Sequence, residues 1–82
     1  MRDLEYYRSL PYRRTVELID DESGRYYLAR IVELRGVGGD GETPEAAVRD
    51  LEQAFETYVR VCLEDGLEIP EPTEPRTAAG NR

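Results

Sequence analysis

Gly36-Val37-Gly38-Gly39-Asp40-Gly41-Glu42-Thr43-Pro44-Glu45 opens the stretch on which the fold depends, and Leu63-Glu64-Asp65-Gly66 closes it. The glycine-rich run delivers the chain into one long helix. Thr43 stands as its N-cap, Pro44 at the first helical position, Glu45 in the first turn and Gly66 as its C-terminal stop. Between those ends Ala47, Val48, Leu51, Ala54, Phe55, Tyr58, Val59 and Cys62 recur at three- and four-residue steps. That spacing sets them on one stripe, which must lie against an apolar surface.

The residues upstream supply the surface as a sheet. From Tyr12 to Ile19 the chain alternates, with Tyr12, Val16 and Leu18 on one parity and Arg13, Thr15 and Glu17 on the other, which predicts a first strand. Asp20-Asp21-Glu22-Ser23-Gly24 is a polar hairpin loop whose glycine supplies a positive φ. Arg25 to Val32 reads as a second strand, apolar on both faces and therefore central: Tyr27, Ala29 and Ile31 face one way, Tyr26, Leu28 and Val32 the other. Glu33-Leu34-Arg35-Gly36 turns the chain into a short third strand, Val37 to Asp40, weakened by its glycines. Beyond the helix, Leu67-Glu68-Ile69 is expected to return as a short fourth strand ended by Pro70, reached by a right-handed crossover. At the start, Asp3 to Leu10 predicts about two helical turns, capped by Asp3, stopped by Pro11, and docked through Leu4, Tyr7 and Leu10. The expected class is α+β, one domain over residues 1–70, with a disordered tail over 71–82 that lacks any apolar anchor.

A chain of 82 residues has little core to divide, since such lengths bury only roughly 60 to 65% of their unfolded surface. Cys62 is the single cysteine and histidine is absent, so neither a disulfide framework nor a metal cluster substitutes for core. Self-association is the remaining way to complete one. The net charge of −7 argues against direct nucleic-acid binding, which needs clustered cations on one face. No stretch has the apolar length of a membrane span or of a signal-peptide core, and a cytoplasmic location is expected. The tyrosines, Tyr6, Tyr7, Tyr12, Tyr26, Tyr27 and Tyr58, exceed what so small a core can bury and favour a contact surface.

Several motifs fall short of the chemistry that their residue types suggest. Gly36-Val37-Gly38-Gly39-Asp40-Gly41 satisfies G-x-G-x-x-G between a strand and a helix, but the apolar parallel strands of a dinucleotide fold are missing, so turn geometry explains the glycines. As a phosphate loop the same run fails, because Glu42 stands where lysine is required. Asp20-Asp21-Glu22 lacks the alternating ligands of a calcium loop and reads as solvated hairpin acids. A two-metal nuclease would draw on Glu17, Asp50 or Glu52, and Glu68. Cys62, on the apolar stripe, reads as a small buried hydrophobe, and no cofactor, metal or catalytic group is expected.

The chain resembles the HicB-like antitoxin family. The likeness is carried by Leu10-Pro11-Tyr12, Asp21-Glu22-Ser23-Gly24, Tyr27-Leu28-Ala29, Glu33-Leu34-Arg35-Gly36, Gly41-Glu42-Thr43-Pro44-Glu45-Ala46-Ala47 and Gly66-Leu67-Glu68-Ile69-Pro70-Glu71-Pro72, in the family's order. The signature residues are thus Pro11, Tyr12, Gly24, Tyr27, Ala29, Leu34, Gly36, Gly41, Thr43, Glu45, Ala47, Ile69 and Pro70. Arg35 stands where the family usually has proline, and Val37 where it often has cysteine. The resemblance implies a partial ribonuclease-H-like fold in a homodimer or tetramer, and a non-enzymatic role in neutralising HicA, a small basic messenger-RNA-cleaving toxin, by covering its active site. An acidic inhibitor suits a basic target. Longer members carry a C-terminal DNA-binding domain; this sequence ends before one, and operator binding is not expected of it. A metal-dependent nuclease and a stand-alone interaction module are the alternatives.

Overall fold

The structure is a computed structural model and describes residues 2–72. The expected disordered tail falls mostly on residues 73–82, outside the described residues. The first element is a short helix, α1 (Leu4–Arg8), begun as expected by Asp3, whose carboxylate accepts the Tyr6 N–H at 3.0 Å. Tyr7 is buried, and Leu4 and Leu10 pack half-buried on the core. Tyr12 is buried too, but its N–H donates to the Leu10 carbonyl at 2.8 Å, so this residue belongs to the turn after α1. The strand β1 (Arg14–Asp21) therefore starts later than the alternation suggests.

β1 pairs antiparallel with β2 (Gly24–Ile31) from Arg14↔Ile31 to Asp21↔Gly24, and Gly24 has a φ of 127° at the hairpin. β2 is central, between β1 and the short β3 (Gly38–Gly41), in a three-stranded antiparallel sheet. Gly36, at a φ of 86°, makes the turn before β3. The long helix α2 (Pro44–Asp65) has the predicted ends: Thr43 Oγ1 accepts the Ala46 N–H at 3.0 Å, and Gly66 is left-handed at a φ of 69°.

Ala47, Leu51, Phe55, Val59 and Cys62 are the buried positions of α2, flanked by half-buried Val48, Ala54 and Tyr58. They pack on Ala29 and Ile31 of β2, with Leu34, Val37, Tyr7, Tyr12 and Ile69 closing one core. Phe55, Leu34, Leu51 and Val59 are its largest fully buried side chains, each contributing about 1.5–3 kcal/mol by leaving water.

Close approach of α2 explains two of the four glycines in the run. A Cβ on Gly39 would meet the Leu51 amide nitrogen and lie 2.7 Å from the Asp50 carbonyl carbon and 2.8 Å from the Ala47 oxygen, all helix backbone. One on Gly41 would stand 2.6 Å from the Ala46 Cβ. Turn geometry is the reason for Gly36 alone; Gly39 and Gly41, with Ala29 and Ala47, let the helix rest on the strand backbone.

The expected fourth strand does not form. The Leu67 N–H is spent on the Cys62 carbonyl at the end of α2, and Pro70 follows too soon for a ladder. Ile69 is buried, and the Tyr12 hydroxyl donates to the Pro70 carbonyl at 2.5 Å, so side chains hold this segment in place of strand pairing. Structure continues past residue 70, where Glu71 accepts the Tyr6 hydroxyl at 3.1 Å and pairs with Arg2 at 3.3 Å.

Candidate interaction surface

The signature residues do not converge on a cleft. Tyr12, Ala29, Leu34, Ala47 and Ile69 lie in the core, and Tyr27 is half-buried beside Leu18 and Gly41. Gly24, Gly36, Gly41 and Thr43 set turns, a close contact and a helix cap, while Glu45 is exposed in the first turn of α2. Pro11 is exposed between α1 and β1, and Pro70 offers its carbonyl to Tyr12. These positions specify the fold. Burial first, and then the charge of Glu71, pushes the Tyr12 hydroxyl up to about 12, so this internal donor stays protonated.

The carboxylates that a nuclease would need are also separated. Glu17 pairs across β1 with Leu28 and so lies on the sheet face away from Ala29 and the helix. Asp50 accepts the Asp40 N–H at 3.1 Å, Glu52 is bound by Arg14 at 2.6 Å, and Glu68 is exposed beyond α2. Among the described residues no three His, Cys, Asp or Glu side chains group as metal ligands. Of two open depressions, one of about 710 Å³ is lined by Thr15, Leu28, Arg30, Val32, Arg35 and Gly38, and one of about 570 Å³ by Arg2, Tyr7, Leu67, Glu68 and Ile69.

What the surface does carry is charge and an unfinished edge. At the β1–β2 hairpin Asp20, Asp21 and Glu22 are exposed, and the hydroxyl and amide of Ser23 hold the Asp21 carboxyl below its ordinary value. Glu56 is likewise held down, first by its hydrogen bond from Arg60, and it clips α1 to α2 through Arg8 at 2.8 Å. Burial opposes ionisation of Glu33, yet the backbone N–H and guanidinium of Arg13 bring its carboxyl below the ordinary range.

β1 is the uncovered strand. Val16 lies opposite Ala29 and Leu18 opposite Tyr27, so both share the helix side of the sheet, yet they remain 42% and 47% exposed. Alternation identifies their face without telling how far the helix reaches. The signal that could have revealed them is the glycine strand: Gly39 and Gly41 mark where α2 sits, over the far edge from β1.

All six tyrosines have some burial, with Tyr7 and Tyr12 inside and Tyr6, Tyr26, Tyr27 and Tyr58 partly covered. Cys62 is a free, buried thiol, as its place on the stripe predicts. No helix among the described residues is long and apolar enough to cross a membrane.

No curated protein and no solved structure matches the chain at a significant level. Residues 12–70, from buried Tyr12 to the Pro70 carbonyl that it binds, match the UPF0150-like family, and the chain belongs to that family.

Proposed function

We propose that this protein is the antitoxin-like half of a type II toxin–antitoxin pair, acting in the cytoplasm. It binds a small basic messenger-RNA-cleaving toxin of the HicA kind, covers its active site, and has no catalysis of its own. The observation that carries the reading is the ordered set of HicB-like motifs over residues 10–72, which coincides with the span of the family match, 12–70. Charge supports it. A ribonuclease must present cations to RNA, and this chain has a net charge of −7 with exposed acids at the hairpin, which favours encounter and complementarity with such a surface. The scattered positions of Glu17, Asp50, Glu52 and Glu68 favour binding over hydrolysis. The protein works as a homo-oligomer in this reading.

Co-expression with its toxin tests the proposal. Capture of the tagged protein at low salt is expected to recover a small basic protein that salt releases. Expressed alone, that partner should arrest translation, and this chain should restore growth. Soluble co-expression without restored growth would overturn the antitoxin reading.

A further inference from the structure

The Val32 N–H donates to the Arg13 carbonyl at 2.8 Å, which fixes the hydrogen-bonding phase of the β1–β2 ladder. In an antiparallel pair hydrogen-bonded and non-bonded positions alternate, so Thr15, Glu17, Ile19 and Asp21 direct their backbone groups toward β2. Arg14, Val16, Leu18 and Asp20 direct theirs outward, at an edge where no other strand of the described residues pairs. This edge is long and regular: β1 has eight residues in unbroken register, with neither a proline nor a bulge to block a further strand.

Its sequence complements itself. From Arg13 to Asp21 the strand reads Arg-Arg-Thr-Val-Glu-Leu-Ile-Asp-Asp, basic at one end, acidic at the other and apolar on both sides of Glu17. We propose that β1 pairs antiparallel with β1 of a second copy, about a two-fold axis at Glu17, joining two three-stranded sheets into one. The partner strand then sets Arg14 opposite Asp20, Val16 opposite Leu18, Thr15 opposite Ile19 and Arg13 opposite Asp21, each twice by symmetry.

The register meets the backbone requirement as well as the charge requirement. Arg14, Val16, Leu18 and Asp20 are the outward-facing residues, and this axis makes Arg14–Asp20 and Val16–Leu18 the hydrogen-bonded pairs. Moving the axis to residue 16 sets Arg14 against Leu18; moving it to residue 18 sets Val16 against Asp20. Either shift exchanges complementary pairs for mismatched ones. The half-exposed Val16 and Leu18 gain cover from each other, on the helix side that α2 does not reach. Arg14 already binds Glu52, and Arg25 already binds Asp20, so the new pairs join these into a four-residue charge chain on each side of the axis. Only Glu17 meets its like, across the axis.

The inference rests on the homo-oligomer part of the proposed function and not on the toxin. Glu17→Cys provides the test, because Glu17 sits at a non-hydrogen-bonded position, where facing Cα atoms are about 4.5 Å apart and within disulfide range. Mild oxidation of E17C is expected to yield a disulfide-linked dimer. Thr15→Cys, two residues off the axis, should give far less, and the unmodified chain with its buried Cys62 none. Arg14→Glu and Asp20→Arg should each weaken self-association roughly tenfold in sedimentation equilibrium, and an equimolar mixture should regain it through complementary heterodimers. Circular dichroism of each variant checks its folding, and regain on mixing is a result that misfolding cannot produce. A dimer that E17C does not cross-link would overturn this pairing and leave the homo-oligomer reading standing. A monomer at every concentration would overturn both.

Discussion

The two edges of the sheet are finished in opposite ways. β3 is four residues long and mostly glycine, and α2 lies against its backbone. β1 is twice that length, carries a side chain at every position, and leaves Val16 and Leu18 half-exposed. A helix is about 10 Å across and strands are about 4.8 Å apart, so one helix covers about two strands. With α2 over β3 and β2, Val16 and Leu18 of β1 lie beyond the helix and stay half-exposed among the described residues. Small residues on one edge thus fix what is left bare on the other.

Substitutions on the two sides should differ accordingly. Phe55 is 1% exposed at the centre of the covered side, and Phe55→Ala should cost about 3–5 kcal/mol in chemical denaturation, enough to unfold a domain of this size. Gly39→Ala should follow at about 1–3 kcal/mol, because the added methyl would meet helix backbone that cannot rotate away. A melting temperature unchanged by G39A would show that α2 does not need its close seat.

Tyr12→Phe should cost about 1 kcal/mol through loss of the hydrogen bond to the Pro70 carbonyl. It also carries a pH signature. The hydroxyl rises to about 12 in the folded state from an ordinary 10.0, so its contribution is complete below pH 10 and is lost as pH climbs from there toward 12. Denaturation across that window should show a steeper loss of stability in the parent protein than in Y12F. At the bare edge, Val16→Thr should change the stability of dilute protein by no more than about 0.5 kcal/mol, while weakening any self-association.

The local chemistry of the fold was open to reading from the residues. Asp3, Thr43 and Gly66 act as caps where side-chain oxygen and left-handed backbone are needed, and the apolar stripe of α2 is the buried one. Tyr12 and Ile69 are core residues at the two ends of the family span. Two features depended on distances between elements and could not be read locally. Leu67-Glu68-Ile69 had the pattern of a strand, but the end of α2 consumes the first amide and the segment is held by side chains. Gly39 reads locally as a turn residue, whereas helix backbone packed against it is what excludes a side chain there. For the surface, alternation gave the faces of Val16 and Leu18, and only the position of α2 disclosed that they lie outside its reach.

The most direct test of the free edge is amide hydrogen exchange of β1, residue by residue, in dilute and concentrated protein. Glu17 and Ile19 should be protected in both, because their amides face β2. Val16 and Leu18 should exchange rapidly when dilute and slow as concentration rises, as a second β1 takes up their outward N–H groups. Rapid exchange at Val16 and Leu18 at every concentration would contradict the account.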